Sequence, residues 1–269
     1  MKQGDGAATY GPEAKPRVGF FTDTSICIGC KACEVACKEW NLVPEDGLAW
    51  TGHSYDNTGE LSADSWRHVA FIEQRPRNGD FRWLMSSDVC KHCTHAGCLD
   101  VCPTGAIMRT EFGTVVIQDD VCNGCGYCVT ACPFGVISKR ELADDGGMHK
   151  CTLCYDRLQD GLEPACAKAC PTDSIQFGPL DELVERARER CEHLVESGVE
   201  EARLYLADEE DGIGGAGAFF LLLDEPEVYG LPPDPVVPTK NLTGIWTAAA
   251  AAAGVLAAGL VASFVGSGE

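Results

Sequence analysis

The chain has 269 residues, 45% hydrophobic content and a formal net charge of −20. Such a chain is long and apolar enough to build a core, so its 17 cysteines are not needed as the disulfide framework of a small secreted scaffold. The acidic balance excludes a nucleic-acid partner, whose binding needs a basic face, and suits electrostatic selection of other partners.

Residues 1–17 read as a polar tail with neither an apolar signal core nor a twin-arginine pair, so export would depend on a partner that carries the signal. Four cysteine groups follow: Cys27, Cys30, Cys33, Cys37; Cys90, Cys93, Cys98, Cys102; Cys122, Cys125, Cys128, Cys132; and Cys151, Cys154, Cys166, Cys170. Between the first two groups, residues 66–73 and 81–86 predict strands joined by a turn at 75–80. Residues 114–118 predict a short strand between the second and third. Beyond the fourth, residues 181–197 predict an amphipathic helix ended by Gly198, with Leu183, Val184, Ala187, Cys191, Leu194 and Val195 on its apolar stripe. Cys191 therefore reads as a small buried hydrophobe. Residues 203–207 and 219–223 predict strands flanking a glycine-rich turn at 212–217, which lacks the Lys-Ser/Thr of a phosphate loop. Residues 230–240 read as a Pro-rich extended linker. Residues 241–268 form an uncharged run of 28, and 241–266 are long and apolar enough for a membrane helix. Its small residues, 248–254 and 257–259, would let another membrane helix pack closely.

The third cysteine group reads C-x2-C-x2-C-x3-C-P, the spacing with which bacterial ferredoxins hold 4Fe–4S clusters. Three cysteines two residues apart wrap one loop around three iron corners; the fourth lies beyond that loop's reach. Pro103, Pro133 and Pro171 follow the last cysteine of three groups and fix the chain's exit, whereas Lys38 follows Cys37. The second and fourth groups lengthen a loop without losing a ligand, with four residues between Cys93 and Cys98 and eleven between Cys154 and Cys166. A non-redox scaffold held by zinc is the alternative, but zinc needs neither the third cysteine nor the fourth before proline. His92 and His95 lie within a complete quartet and read as polar neighbours of the cluster. Lys31, Lys38, Lys91, Lys150 and Lys168 sit beside ligands; they either raise cluster potentials or are solvated surface lysines. The groups pair either as adjacent couples or nested, second with third and first with fourth.

The chain resembles the iron–sulfur (beta) subunits of membrane-bound respiratory formate dehydrogenases, within the complex iron–sulfur molybdoenzyme family. The quartets carry the wider resemblance. The narrower one rests on Lys150-Cys-Thr-Leu-Cys-Tyr-Asp-Arg, Glu163-Pro-Ala-Cys-Ala-Lys-Ala-Cys-Pro-Thr, the helix after it, Tyr229-Gly-Leu-Pro and the C-terminal span. It covers about residues 18–265; residues 38–89 match poorly.

The resemblance implies an α+β fold of two ferredoxin-like dicluster units in tandem with nested pairing, plus a single C-terminal transmembrane helix. The four-cluster domain would span residues 18–178, and 179–229 would cover it. The implied ligand sets are Cys27, Cys30, Cys33 with Cys170; Cys151, Cys154, Cys166 with Cys37; Cys90, Cys93, Cys98 with Cys132; and Cys122, Cys125, Cys128 with Cys102. Some relatives lack the cysteine corresponding to Cys125 and hold a 3Fe–4S cluster; its presence implies four 4Fe–4S cubanes. The implied role is electron transfer without catalytic residues. Its partners would be a molybdopterin subunit with molybdenum or tungsten on the side of the first group, and an integral membrane cytochrome b near the third. The same relay would also suit a hydrogenase or a dimethyl-sulfoxide, polysulfide or nitrate-type reductase. By resemblance the cluster domain is extracytoplasmic, although Lys240 before the span favours the opposite side.

Overall fold

The computed structural model describes residues 15–47, 50–52, 55–74, 81–140 and 146–265. The turn expected at 75–80 and most of the N-terminal tail lie outside them. The chain divides into two units, residues 1–237 and 238–269.

The first unit begins with strand β1 (Val18–Asp23), followed by helix α1 (Ala32–Asn41). Strands β2 (Arg67–Gln74) and β3 (Arg82–Val89) form the expected antiparallel hairpin, with Arg67 opposite Val89 and Gln74 opposite Arg82. Next come helix α2 (Gly97–Asp100), the two-stranded β4 (Ile107–Arg109) and β5 (Val115–Ile117), and helix α3 (Tyr127–Ala131). Strands β6 (Ser138–Lys139) and β7 (Met148–His149) pair before helices α4 (Tyr155–Gln159) and α5 (Ala165–Lys168). Strand β8 (Ile175–Pro179) leads directly into helix α6 (Leu180–Glu196), and β9 (Arg203–Tyr205) and β10 (Ala218–Leu222) complete the unit.

One four-stranded sheet, in the order β8-β1-β10-β9, organises the outer part. β1 pairs antiparallel with β8 and parallel with β10. The segment expected only to cover the cluster domain thus supplies a central strand. Side chains alternate faces along a strand, and β1 uses both: Phe20 joins the cysteine-rich core with Val89, Ile107 and Leu153, while Phe21 joins a second core with Leu183, Phe219 and Leu221. Phe21 and Phe219 stack at 5.4 Å.

Helix α6 presents Leu180, Leu183 and Ala187 to that second core, the i, i+3, i+7 spacing of one helical face. Asp181 and Glu182 in its first turn complement the helix dipole. Cys191 packs partly buried against this core, but Val195 is exposed, so the apolar stripe stops short of it. Beyond the 3₁₀ turn Pro226–Tyr229, the linker expected to be extended is instead held down and ends in a second 3₁₀ turn, Pro238–Asn241. Leu231 and Val237 are buried, and Tyr205 Oη donates to the Pro232 carbonyl at 2.5 Å. In the glycine-rich turn, Asp211 Oδ1 accepts from the Ile213 and Gly215 N–H groups, each at 2.9 Å.

The second unit is helix α7 (Leu242–Val265). Residues Thr239–Ser263 form a 25-residue stretch long and apolar enough to cross a membrane.

Candidate metal centres

Local backbone shape positions the cysteines. In the first group Cys27 and Cys30 lie on a loop and Cys33 and Cys37 on α1. Cys98 is on α2, Cys128 on α3 and Cys166 on α5. Lys31, His92, Leu153 and Cys154, all beside or between group members, adopt positive φ, a strained choice for residues other than glycine. Gly29 is required on two counts: its φ is +64°, and a Cβ would stand 2.6 Å from the Phe71 ring.

Helix contacts distinguish the two pairings. α1 packs on α5, and α2 packs on α3, so the first group meets the fourth and the second meets the third. Cys27, Cys30, Cys33 and Cys170 line one cavity; Cys102, Cys122, Cys125 and Cys128 line another. Among the other eight, Cys37 and Cys93 each feel the charge of several other thiols. Burial pushes Cys37 well up, and Cys151, Cys166 and Cys154 add to it. Burial likewise pushes Cys93 well up, with Cys90, Cys98 and Cys132 adding to it. The groups are thus brought together first with fourth and second with third.

Cys30 and Cys125 are exposed. Cys37, Cys151, Cys154 and Cys166 are all buried.

The donor set fits cubanes better than single ions. Among the described residues no three His, Cys, Asp or Glu side chains stand close enough to hold one metal ion. Tetrahedral zinc draws its thiolates to about 2.3 Å from one centre, whereas a cubane spreads them over four irons. N–H donors aim at the sulfurs, as cluster sites use to tune potential. Leu153 N–H lies 3.3 Å from Cys151 Sγ and Met148 N–H 3.4 Å from Cys122 Sγ. Burial raises the Cys102 thiol, but the Ile107, Thr104 and Ala106 N–H groups and the Thr104 hydroxyl outweigh it and hold the thiol below its ordinary value.

The lysines separate into two classes. Lys91 and Lys150 are buried. Lys91 Nζ pairs with Asp88; Lys150 Nζ donates to the Val115 carbonyl and, at 3.0 Å, to the Cys151 carbonyl. Burial opposes the Lys150 charge, but Cys90, Cys98 and Cys151 outweigh it and push its pKa up. Lys31 and Lys38 are half-buried and pair with carboxylates, and Lys168 is 72% exposed beside Glu163. His92 is fully buried. Desolvation and then the cations of Lys150, Arg17 and Arg109 hold it neutral, and its Nδ1 accepts from the Val115 N–H at 3.1 Å. Sequence reading missed Arg67, which is buried beside Cys33 and Cys166; an arginine at the start of a predicted strand carries no signal of burial.

Comparison with known proteins agrees with this chemistry. A family model described as "4Fe-4S dicluster domain" matches residues 26–106, and a second of the same description matches 81–180. The nitrate-inducible formate dehydrogenase iron–sulfur subunit of Escherichia coli K12 is 42% identical over 266 residues, covering 94% of this chain and 86% of that subunit. The formate dehydrogenase iron–sulfur subunit of Haemophilus influenzae is 42% identical over 236 residues, covering 85% and 74%. A component of the anaerobic dimethyl sulfoxide reductase of Escherichia coli K12 is 40% identical over 166 residues, covering 61% and 75%.

Proposed function

The chain belongs to the family of formate dehydrogenase iron–sulfur subunits, and from that footing we propose that it carries electrons from a formate-oxidising catalytic subunit to a membrane cytochrome b and quinone. The catalytic partner holds molybdenum or tungsten on a pterin cofactor. The four ligand sets are the nested ones: Cys27, Cys30, Cys33, Cys170; Cys37, Cys151, Cys154, Cys166; Cys90, Cys93, Cys98, Cys132; and Cys102, Cys122, Cys125, Cys128. Bound there, the 4Fe–4S clusters supply one-electron redox chemistry.

One observation carries this reading: the first cysteine group meets the fourth and the second meets the third, with Cys30 and Cys125 exposed while Cys37, Cys151, Cys154 and Cys166 are buried. A relay needs contact at its termini and exclusion of water along its length. The cysteines fix the spacing, backbone N–H groups donate to sulfur, and the buried Lys150 places positive charge between the second and third sets. Cys30 marks the end that meets the catalytic subunit, and Cys125 the end that meets the cytochrome. α7 crosses the membrane once, its small residues packing on a helix of that cytochrome. The cluster-bearing unit lies on the extracytoplasmic side. Labelling of intact cells with a membrane-impermeant reagent checks this: protection of the surface lysines, Lys168 among them, until the cells are broken would reverse the orientation.

The function is tested by adding formate to gently solubilised membranes that carry the tagged chain. Rapid bleaching of the iron–sulfur absorbance, recovered on adding a quinone, is expected. Bleaching by dithionite but not by formate would move the relay to another catalytic partner, such as a hydrogenase or a sulfoxide-type reductase. Zinc in place of iron, with no visible absorbance, would make the chain a scaffold.

A further inference from the structure

Arg67 at the head of β2 is 1% exposed, one of the largest side chains that the fold buries completely. Its Nη1 donates to the Ser87 carbonyl at 3.3 Å and to Ser87 Oγ at 3.0 Å. Its guanidinium lies 4.9 Å from the centre of the Phe20 ring, which fixes the plane of the fork. Nε and Nη2 have no hydrogen-bond partner. The arginine ion pairs among the described residues involve Arg82, Arg140, Arg188, Arg190 and Arg203 and leave Arg67 out.

A buried cation with two orphaned donors and no carboxylate is costly unless anions reach it. Here the anions are thiolates. Ser87 Oγ, which holds Arg67, is also 3.3 Å from Cys33 Sγ. Helix α1, which carries both Cys33 and Cys37, packs on β2, the strand that Arg67 opens. Cys33 belongs to one ligand set and Cys37 to the next, so Arg67 opens the strand that packs on the helix shared by both sets.

We propose that Arg67 is a positioning residue shared by two clusters, with Nε and Nη2 donating to sulfur atoms of the sets that contain Cys33 and Cys166. The inference rests on the ligand sets proposed above. A fixed positive charge beside both sets favours the reduced form of each, so the two potentials rise together and stay matched. Electron exchange between them then runs without an uphill step imposed by one site alone. Lysine cannot reproduce this: its ammonium is a single point, whereas the planar fork reaches two acceptors while Nη1 stays on Ser87. The segment 38–89 thereby acquires a role, since it delivers both Arg67 and its holder.

The test is a redox titration of the intact complex followed by electron paramagnetic resonance, with iron per chain measured alongside. Wild type is compared with Arg67→Met and Arg67→Lys. Arg67→Met is expected to lower two of four midpoints, each by a tenfold or larger change in its reduction equilibrium, about 59 mV for one electron. Arg67→Lys should recover part of the shift in one of them. Four unchanged midpoints at full iron content would overturn the proposal and leave the ligand sets standing. Should Arg67→Met lose iron, the wild-type complex decides: with arginine labelled by nitrogen-15 on the guanidinium, pulsed resonance should show nitrogen coupled to two reduced clusters, and no coupling overturns the proposal. A wild-type complex with less iron than four clusters require would instead sink the ligand sets themselves.

Discussion

Asn41 reaches Cys154 across 113 positions of sequence: its side-chain Nδ2 stands 3.7 Å from the Cys154 sulfur. The same nitrogen is 3.7 Å from Cys37 Sγ and donates to the Cys37 carbonyl at 2.9 Å. One amide at the end of α1 thus ties the first cysteine group to the fourth. An N–H donated to a ligating sulfur stabilises its negative charge and raises the potential of the cluster it serves. Asn41→Leu should lower one midpoint in a redox titration and leave three unchanged; four unchanged midpoints would remove Asn41 from the tuning of the relay.

Nested ligation makes a prediction that adjacent pairing does not. Cys37→Ala and Cys154→Ala should perturb the same resonance signal, and Cys102→Ala and Cys125→Ala should share another. If Cys37→Ala perturbs the signal shared by Cys90→Ala instead, the nesting is wrong.

Lys150 and Lys168 both sit next to a cysteine or within a cysteine group, but they differ in burial. Removing the buried ammonium in Lys150→Met leaves the Val115 and Cys151 carbonyls without their donor. The unmet acceptors should cost about 1–3 kcal/mol, seen as an earlier denaturant midpoint of the purified complex, together with lower potentials for the clusters nearest Cys90 and Cys151. Lys168→Met should change neither, because its 72% exposed side chain is screened by water.

Gly97 permits the close approach of α2 and α3. A Cβ there would stand 2.9 Å from the Ala131 carbonyl oxygen and 3.2 Å from Val237. Gly97→Ala should destabilise the complex by about 1–3 kcal/mol through overpacking. Thermal unfolding, with loss of absorbance as the readout, would show the transition several degrees lower; an unchanged transition would mean that the two helices separate easily.

The span can be probed at its centre. Ala253→Arg puts a charge midway along α7, at a cost to insertion of about 3 kcal/mol. Wild-type chain should stay with membranes washed at alkaline pH, and the variant should be released. Retention of both would show that α7 is not what holds the chain there.

Spacing made the cysteines legible, because one loop can present three thiolates to one cluster only at short fixed intervals. Alternation disclosed β2 and β3, and helical periodicity disclosed α6 to within a residue of its start. Periodicity failed at Val195, which the sequence makes apolar but which no neighbour covers. What stayed hidden is non-local. Nothing in Val18–Asp23 announces that it will lie between β8 and β10. Prolines suggested a free linker at 230–240, yet Leu231 and Val237 find places in the second core. Arg67 was invisible because a charged residue ordinarily reads as exposed, and only the thiolates of two distant groups make its burial tolerable.

The parallel pairing of β1 with β10 sets a timetable. Phe20 lies beside Ala218, so this sheet cannot close until the ribosome has released nearly the whole first unit. The inner hairpin of β4 and β5 needs only its own short neighbourhood. Local contacts form early and distant ones late, so the middle of this molecule takes shape first and its two ends lock around it afterwards. A nascent polypeptide stalled before Ala218 would still lack the strand on which β1 pairs, so the four-stranded sheet stays open until β10 is made.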